Sequence, residues 1–379
     1  MKFATRLVNY DACPGDPYRA TSTPIYQTAT FEQVHADSFG EYDYSRSGNP
    51  TRRVLEDQMA SLENGVRGFC FSSGMAAIAT VTRLLNPGDE IIADWDLYGG
   101  TSRLFGKALQ HAGIAVRYVD ASDPHQVAQK MTAATRMVYV ESPTNPLLRI
   151  VDLRAVAEIA HRHVALFCVD NSTMSPYLQN PLDLGADIVV HSATKFLCGH
   201  SDVTGGAVVV KDTALADEIY SLQNAEGSAL GPFDCFLLLR GLKTLKLRID
   251  AQQRGAEAVA DFLTHHPNVS RVFYPGVASH PGFAVHQSQA RGGGSVVSAT
   301  VGSPKRAKSI AEKTELFRIA VSFGSVNSTI SIPFKMSHAS VPADIRIARA
   351  IPEDLLRLSI GIEDPEDLIE DLKTCLDAL

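Results

Sequence analysis

The chain has 379 residues, 45% hydrophobic and 20% charged, the make-up of an ordinary globular protein long enough for two or three domains. Its 35 Lys and Arg against 42 Asp and Glu leave a net charge of -7, which argues against nucleic acid or an anionic membrane as the principal partner. Six scattered cysteines with no CxxC pair argue against a disulfide framework and a metal site, and no apolar run approaches the ~20 residues of a membrane span.

Residues 1–55 lack sustained periodicity yet carry Ile25, Tyr26, Phe31, Phe39, Tyr42 and Tyr44, apolar surface that is costly to leave wet. They are expected to form an extended N-terminal arm docked on another subunit. The first residues show no signal-peptide pattern, so the expected location is the cytoplasm. From 56 to 212, short β-rich runs alternate with helical spacing. The runs are Phe69–Ser72, Ile91–Trp95, Val116–Val119, Met137–Glu141, Ala165–Asp170, Ile188–Ser192 and Ala207–Val210; the helical patterns cover Met75–Leu85, Thr101–Ala112 and Leu153–His163. The alternation predicts an α/β large domain with a mostly parallel seven-stranded sheet and ligands beyond its carboxyl ends. A helical stretch over 234–266, stopped by Pro267, is expected to lead into a smaller C-terminal α/β domain. That domain would hold strands at Ser295–Thr300, Ile319–Ser322 and Leu355–Ile360 and helices over 304–314 and 365–378. The expected division is arm 1–55, large domain 56–235, and linking helix with C-terminal domain 236–379.

Three local features point to chemistry. SATKFLCGHSD (192–202) follows the apolar strand ADIVV and places Lys195 just past a buried strand end, among small hydroxyl residues. A lysine needs desolvation or a cationic neighbour to act as an amine nucleophile, since its free pKa is about 10.4. Asp170 ends the strand ALFCV, where a carboxylate suits an ion pair with a protonated ring nitrogen. SSGM (72–75) joins a strand to a helix, and the free N–H groups of Gly74 and Met75 there suit a phosphate. Each alone is an ordinary loop, turn or cap. Together, each at a strand's carboxyl end, they describe a site for pyridoxal 5'-phosphate: Gly74, Met75, Ser192 and Thr194 for the phosphate, Asp170 for the ring nitrogen, Lys195 for the aldehyde. No GxGxxG follows the first strand, which disfavours a dinucleotide site.

With these residues in place, the sequence resembles the Cys/Met-metabolism PLP enzymes of fold type I, the cystathionine lyase and synthase family, across essentially its whole length. The resemblance implies the PLP-dependent transferase fold and a homotetramer built as a dimer of dimers with shared active sites. YSRSGNPT (44–51) resembles the arm whose Tyr44 and Arg46 reach the cofactor phosphate of a neighbouring subunit, Tyr44 also contacting substrate. The forked guanidinium of an arginine suits a phosphate. DLYGG (96–100) resembles the segment whose Tyr98 stacks on the cofactor and serves in proton transfer, and ESPTNP (141–146) the strand end whose Asn145 contacts cofactor and substrate carboxylate. In the smaller domain Arg357 alternates with Leu356 and Leu358. The resemblance makes Arg357 the partner of the substrate α-carboxylate, supported by Ser322.

Within the family the sequence is most similar to plant-type cystathionine β-lyases, through NSTMSPYLQNPLDLGADIVVHSATKF, LQNAEGSALGPFDCF and AVSFGSVNSTISIPFKMSHAS. Val321 stands where cystathionine γ-enzymes usually carry an acidic residue, and Gly100 where methionine γ-lyases carry a cysteine. The expected reaction is β-elimination of L-cystathionine to homocysteine, pyruvate and ammonia, a step of methionine biosynthesis, with Lys195 and Tyr98 as catalytic residues. A γ-lyase or γ-synthase activity, or a non-catalytic PLP-binding regulatory role, remains open at this point.

Overall fold

The computed structural model of the chain describes residues 1–336 and 351–379. Seven strands form the first sheet: β1 (Arg67–Phe71), β2 (Glu90–Asp94), β3 (Ala115–Val119), β4 (Thr135–Glu141), β5 (Leu166–Asp170), β6 (Ile188–Ser192) and β7 (Gly206–Val210). Their order is β1-β7-β6-β5-β4-β2-β3, and β7 alone runs against its neighbours. The seven expected strands and the mostly parallel sheet are therefore present. Strands such as β6 and β7 are near-continuous apolar runs because both faces are covered. On one face Val169, Val189 and Val209 pack with the helix Leu153–Arg162; on the other Cys168, Val190 and Val208 pack with the helix Gly74–Thr82. That second face leads to the Lys195 turn.

A smaller sheet holds β8 (Arg271–Phe273), β9 (Val296–Thr300), β10 (Arg318–Ile319), β11 (Thr329–Ser331) and β12 (Leu355–Ser359) in the order β10-β11-β12-β9-β8. The helices Leu245–His265, Pro304–Lys313 and Pro365–Asp377 bury Ala256, Val259, Ile310, Leu368 and Leu372 against it.

Four segments differ from the sequence expectation. The arm contains a helix, Phe3–Val8, whose Leu7 joins the main core. A second helix, Pro50–Glu63, begins before residue 55: Asn49 caps it by accepting from Thr51 N and Arg52 N, and Pro50 supplies the first-turn residue that lacks an N–H. The stretch over 234–266 is two helices, Pro232–Leu242 and Leu245–His265. At the break, the buried Arg248 donates from Nη2 to the Gly241 carbonyl at 2.9 Å, satisfying a carbonyl at the end of the first helix. The strand expected to reach Ser322 stops at Ile319, because Ser322 turns into the left-handed region at φ 85. Residues 55 and 56 lie within Pro50–Glu63, and 235 and 236 within Pro232–Leu242. The last four residues of AVSFGSVNSTISIPFKMSHAS (337–340) fall outside the described residues.

Candidate active site

The carboxyl ends of β4, β5 and β6, the N-terminus of Gly74–Thr82, and the small-domain segments around Ser322 and Arg357 enclose a cavity of about 400 Å³. Gly74, Met75, Tyr98, Asn145, Asp170, Ser192, Thr194, Lys195, Ser322 and Arg357 all line it. Residues 283 apart in sequence, from Gly74 to Arg357, are thus brought to one place by the docking of the two sheets. Tyr44 and Arg46 are elsewhere. Both are exposed, with Arg46 donating to the Asn224 carbonyl at 2.7 Å and lying 5.4 Å over the Tyr44 ring.

Lys195 sits in the turn after β6, and that turn is braced from below. Arg248 Nη1 donates to the Phe196 carbonyl at 2.8 Å, and Gly199 at φ 74 lies so close that a Cβ there would meet Arg248 Nη1 at 1.9 Å. The Lys195 ammonium donates to Ser322 Oγ and lies 4.9 Å from the Phe323 ring centroid. Burial lowers its pKa to about 8, helped by the nearby Arg357 charge and opposed by Asp170. That is a lysine whose neutral form is accessible near neutral pH, as the sequence reading requires.

Arg357, on β12, is buried and bonds across the cavity: Nη1 to Asn145 Oδ1 at 3.0 Å and Nη2 to the Ser322 carbonyl at 2.7 Å. Ser322 leaves the extended conformation to offer that carbonyl and its hydroxyl at once. Arg357 Nε is buried with no hydrogen-bond partner among the described residues. Burial without a neighbouring carboxylate brings the guanidinium down to about 10. An anion is what this group lacks.

Asp170 ends β5 on the opposite wall. Its Oδ1 accepts from Ser172 N at 3.0 Å, and its pKa is raised, chiefly by burial. Thr194 is held by Gly205, donating to its carbonyl at 3.3 Å and accepting from its N–H at 3.0 Å. Ser73 caps the helix Gly74–Thr82 by accepting from Ala76 N, leaving the Gly74 and Met75 amides at the cavity wall. Gly74 is pressed against β6: a Cβ there would come within 3.0 Å of Ser192 Cα and Cβ.

Sequence reasoning missed Glu141, Tyr139 and Arg248. Glu141 lines the cavity and accepts from Tyr98 N at 2.8 Å, fixing the backbone that carries the Tyr98 ring. It lay inside the quoted ESPTNP run, so its position at a strand end was the available signal. Arg248 had none, because the carbonyls of the Lys195 turn that it holds, those of Phe196 and Leu197, lie 52 and 51 residues away.

Gly100 is a steric consequence of Tyr98. A Cβ at residue 100 would stand 2.4 Å from Tyr98 Cε1 and 2.8 Å from Met75 Sδ. Gly100→Ala is expected to push the Tyr98 ring aside and lower kcat/KM about tenfold with the fold intact by circular dichroism. Activity within about twofold of wild type would mean that the ring tolerates displacement.

The residues fit pyridoxal phosphate on two observations: the Gly74 and Met75 amides stand at the cavity wall at a helix N-terminus, where a phosphate is favoured, and a lysine with pKa about 8 faces a buried carboxylate across the cavity.

Comparison with known proteins agrees. The chain is 53% identical over 369 residues to a chloroplastic cystathionine beta-lyase of Arabidopsis thaliana, covering 97% of this chain and 79% of that protein. It is 48% identical to a cystathionine beta-lyase of Bacillus subtilis over 94% of this chain and 92% of that one. The solved structure of a cystathionine gamma-lyase from Lactobacillus plantarum, complexed with L-serine, superposes with a TM-score of 0.97 at 43% identity, covering 100% of this chain and 99% of that chain. These neighbours share the PLP-dependent fold type I architecture. With residues 4–377 matching the profile of the Cys/Met metabolism PLP-dependent enzymes, the chain belongs to that pyridoxal-phosphate-dependent family.

Proposed function

We infer that this enzyme is a carbon–sulfur lyase that cleaves L-cystathionine at Cβ, releasing homocysteine, pyruvate and ammonia. The observation that carries the reading is the convergence of Lys195, Ser322 and Arg357 on one cavity wall, opposite Asp170. The β position is favoured by Val321, an apolar residue lining the same cavity where γ chemistry would be served by a carboxylate, and by the two relatives named for β cleavage at 53% and 48% identity. The γ-lyase named above keeps Cγ cleavage as the second reading.

In this proposal Gly74, Met75, Ser192 and Thr194 hold the cofactor phosphate, Asp170 its ring nitrogen, and Asn145 and Tyr98 its ring. Bound there, the cofactor supplies an aldehyde for amine exchange and an electron sink for the carbanion at Cα. Arg357 takes the substrate α-carboxylate through its unpartnered edge, with Asn145 and the Ser322 carbonyl fixing the guanidinium plane. Lys195, whose neutral amine is oriented by Ser322 Oγ, would take the Cα proton through Nζ and deliver it towards the departing sulfur. Tyr98, held through its backbone by Glu141, covers the reacting face.

Mass spectrometry of products from purified holoenzyme and L-cystathionine tests the assignment. Pyruvate with homocysteine is expected; oxobutyrate with cysteine would overturn the β reading and leave the site standing. The neutral amine is the reactive form, so the rate at which the cofactor-free chain captures pyridoxal phosphate is expected to rise with pH and level off above the Lys195 pKa of about 8. Below it each unit should cost about tenfold, and a flat stopped-flow profile in that range would remove Lys195 as the capturing amine.

The same proposal includes the arm 1–55, large domain 56–235 and C-terminal domain 236–379, and a tetramer in which Tyr44 and Arg46 serve a neighbour's phosphate. Its support is that both lie outside the cavity of their own chain and that Ile25, Tyr26 and Phe39 stay exposed on one chain. Cytoplasmic residence is supported by five buried, unpaired cysteines. No helix among the described residues is long and apolar enough to cross a membrane.

A further inference from the structure

Two buried carboxyl groups stand side by side at the cavity. Glu141 on β4 and Asp170 on β5 are direct register partners in a parallel pair, so their side chains leave the sheet on the same face. Two carboxylates this close in a low-dielectric wall cannot both stay ionised without strong repulsion, so one proton belongs to the pair. Which carboxyl carries it matters, because only an ionised Asp170 favours a protonated ring nitrogen.

The surroundings of the two groups are unequal. Asp170 Oδ1 accepts from Ser172 N at 3.0 Å, and Asp170 Oδ2 accepts from the Tyr139 hydroxyl at 3.3 Å. Tyr139 lies two residues before Glu141 on β4, therefore on the same face, and is fully buried with its ring edge-on to Phe105 at 5.2 Å. Glu141 accepts the Tyr98 N–H at 2.8 Å and faces the acidic Asp94 and Asp96 at the end of β2. Lys195 and His191 stand on the Asp170 side, His191 being bonded to the buried Glu63 at 2.6 Å. Burial and the neighbouring acids raise the Glu141 carboxyl well above the usual range, whereas hydrogen bonds and His191 hold the rise at Asp170 down.

We propose that Tyr139 is a positioning residue: by donating its hydroxyl to Asp170 Oδ2 it places the negative charge of the pair on Asp170 and leaves the proton on Glu141. Glu141 then acts as a neutral strut under Tyr98. The inference rests on the reading of Asp170 as partner of the cofactor ring nitrogen.

The test uses the full-length chain freed of cofactor, with Tyr139→Phe as the variant, which keeps the ring and its packing on Phe105. Infrared difference spectroscopy reads the C=O stretch of a protonated carboxyl; fluorescence titration reads the Kd for pyridoxal phosphate. In the wild-type background Glu141→Gln should reduce the protonated-carboxyl band, to which the buried Asp94 also contributes, and Asp170→Asn should leave it. In the Tyr139→Phe background each of those substitutions should reduce the band, since the proton is then shared, and Tyr139→Phe alone should raise the Kd about tenfold, the scale of one hydrogen bond to a charged group. A band already sensitive to Asp170→Asn in wild type, or a Tyr139→Phe chain with unchanged band and Kd, would overturn the role of Tyr139. If Asp170→Asn itself leaves the Kd unchanged, it is the reading of Asp170 that fails.

Discussion

Lys195→Ala is expected to abolish C–S cleavage, lowering turnover by at least about 10⁴-fold, because in the proposed mechanism one amine both captures the cofactor and moves the Cα proton. No other amine lines the cavity among the described residues; the other cations there, Arg103 and Arg357, carry guanidinium groups. The variant should still fold, since the backbone hydrogen bonds of Lys195 to Ser192 and Gly199 survive the substitution and its turn is braced by Arg248 on backbone carbonyls. Product analysis by mass spectrometry checks the loss, and a small primary amine added in excess should return part of it by entering the space the side chain vacates. Turnover at the wild-type rate would take Lys195 out of the mechanism.

Arg357→Ala carries the second large effect. Removing the guanidinium leaves Asn145 Oδ1 and the Ser322 carbonyl without their donors, and it removes the cation that would meet the substrate carboxylate. The expected drop in kcat/KM is about 10²- to 10³-fold, the scale of a buried, charge-assisted pair. Arg357→Lys should recover little of it, because one ammonium cannot reproduce two donors to fixed acceptors and a third to the ligand. Steady-state kinetics separate this from the lysine variant: the loss for Arg357 should appear largely in KM, with cofactor binding retained. A KM unchanged in Arg357→Ala would place the carboxylate elsewhere. The same substitution also raises the Lys195 pKa, since the Arg357 charge is one of the two causes that lower it, so cofactor capture should shift to higher pH.

Much of this was legible in the chain itself. The strands ending in Asp170 and Ser192 read as short apolar runs because a parallel sheet covered on both faces asks for continuous apolar residues. Lys195 and Gly74 could be found because each lies within a few residues of a strand end, where the fold class puts ligands. What was missed was missed for identifiable reasons. The expected boundary at 55 cuts through the helix Pro50–Glu63 because the signal of that helix is a cap, Asn49 before Pro50, rather than a long apolar stripe. The single helix expected over 234–266 breaks where Arg248 reaches back to Gly241, a contact that periodicity does not contain. Tyr139 lay unremarked inside the expected strand Met137–Glu141, and its hydroxyl finds Asp170 only because β4 and β5 pair in register.

The sequence by itself determined the fold class, the seven-stranded sheet and the kinds of groups gathered at its carboxyl ends, since these follow from local hydrophobic periodicity and short motifs. Only the tertiary structure decided how those groups are charged and held. The Arg357 guanidinium meets Asn145 across 212 positions of chain, the Lys195 amine falls to a pKa of about 8 by burial beside it, and two carboxyls compete for one proton because neighbouring strands pair at Glu141 and Asp170. Solvation and charge proximity depend on distance in space, and distance along the chain carries no record of them.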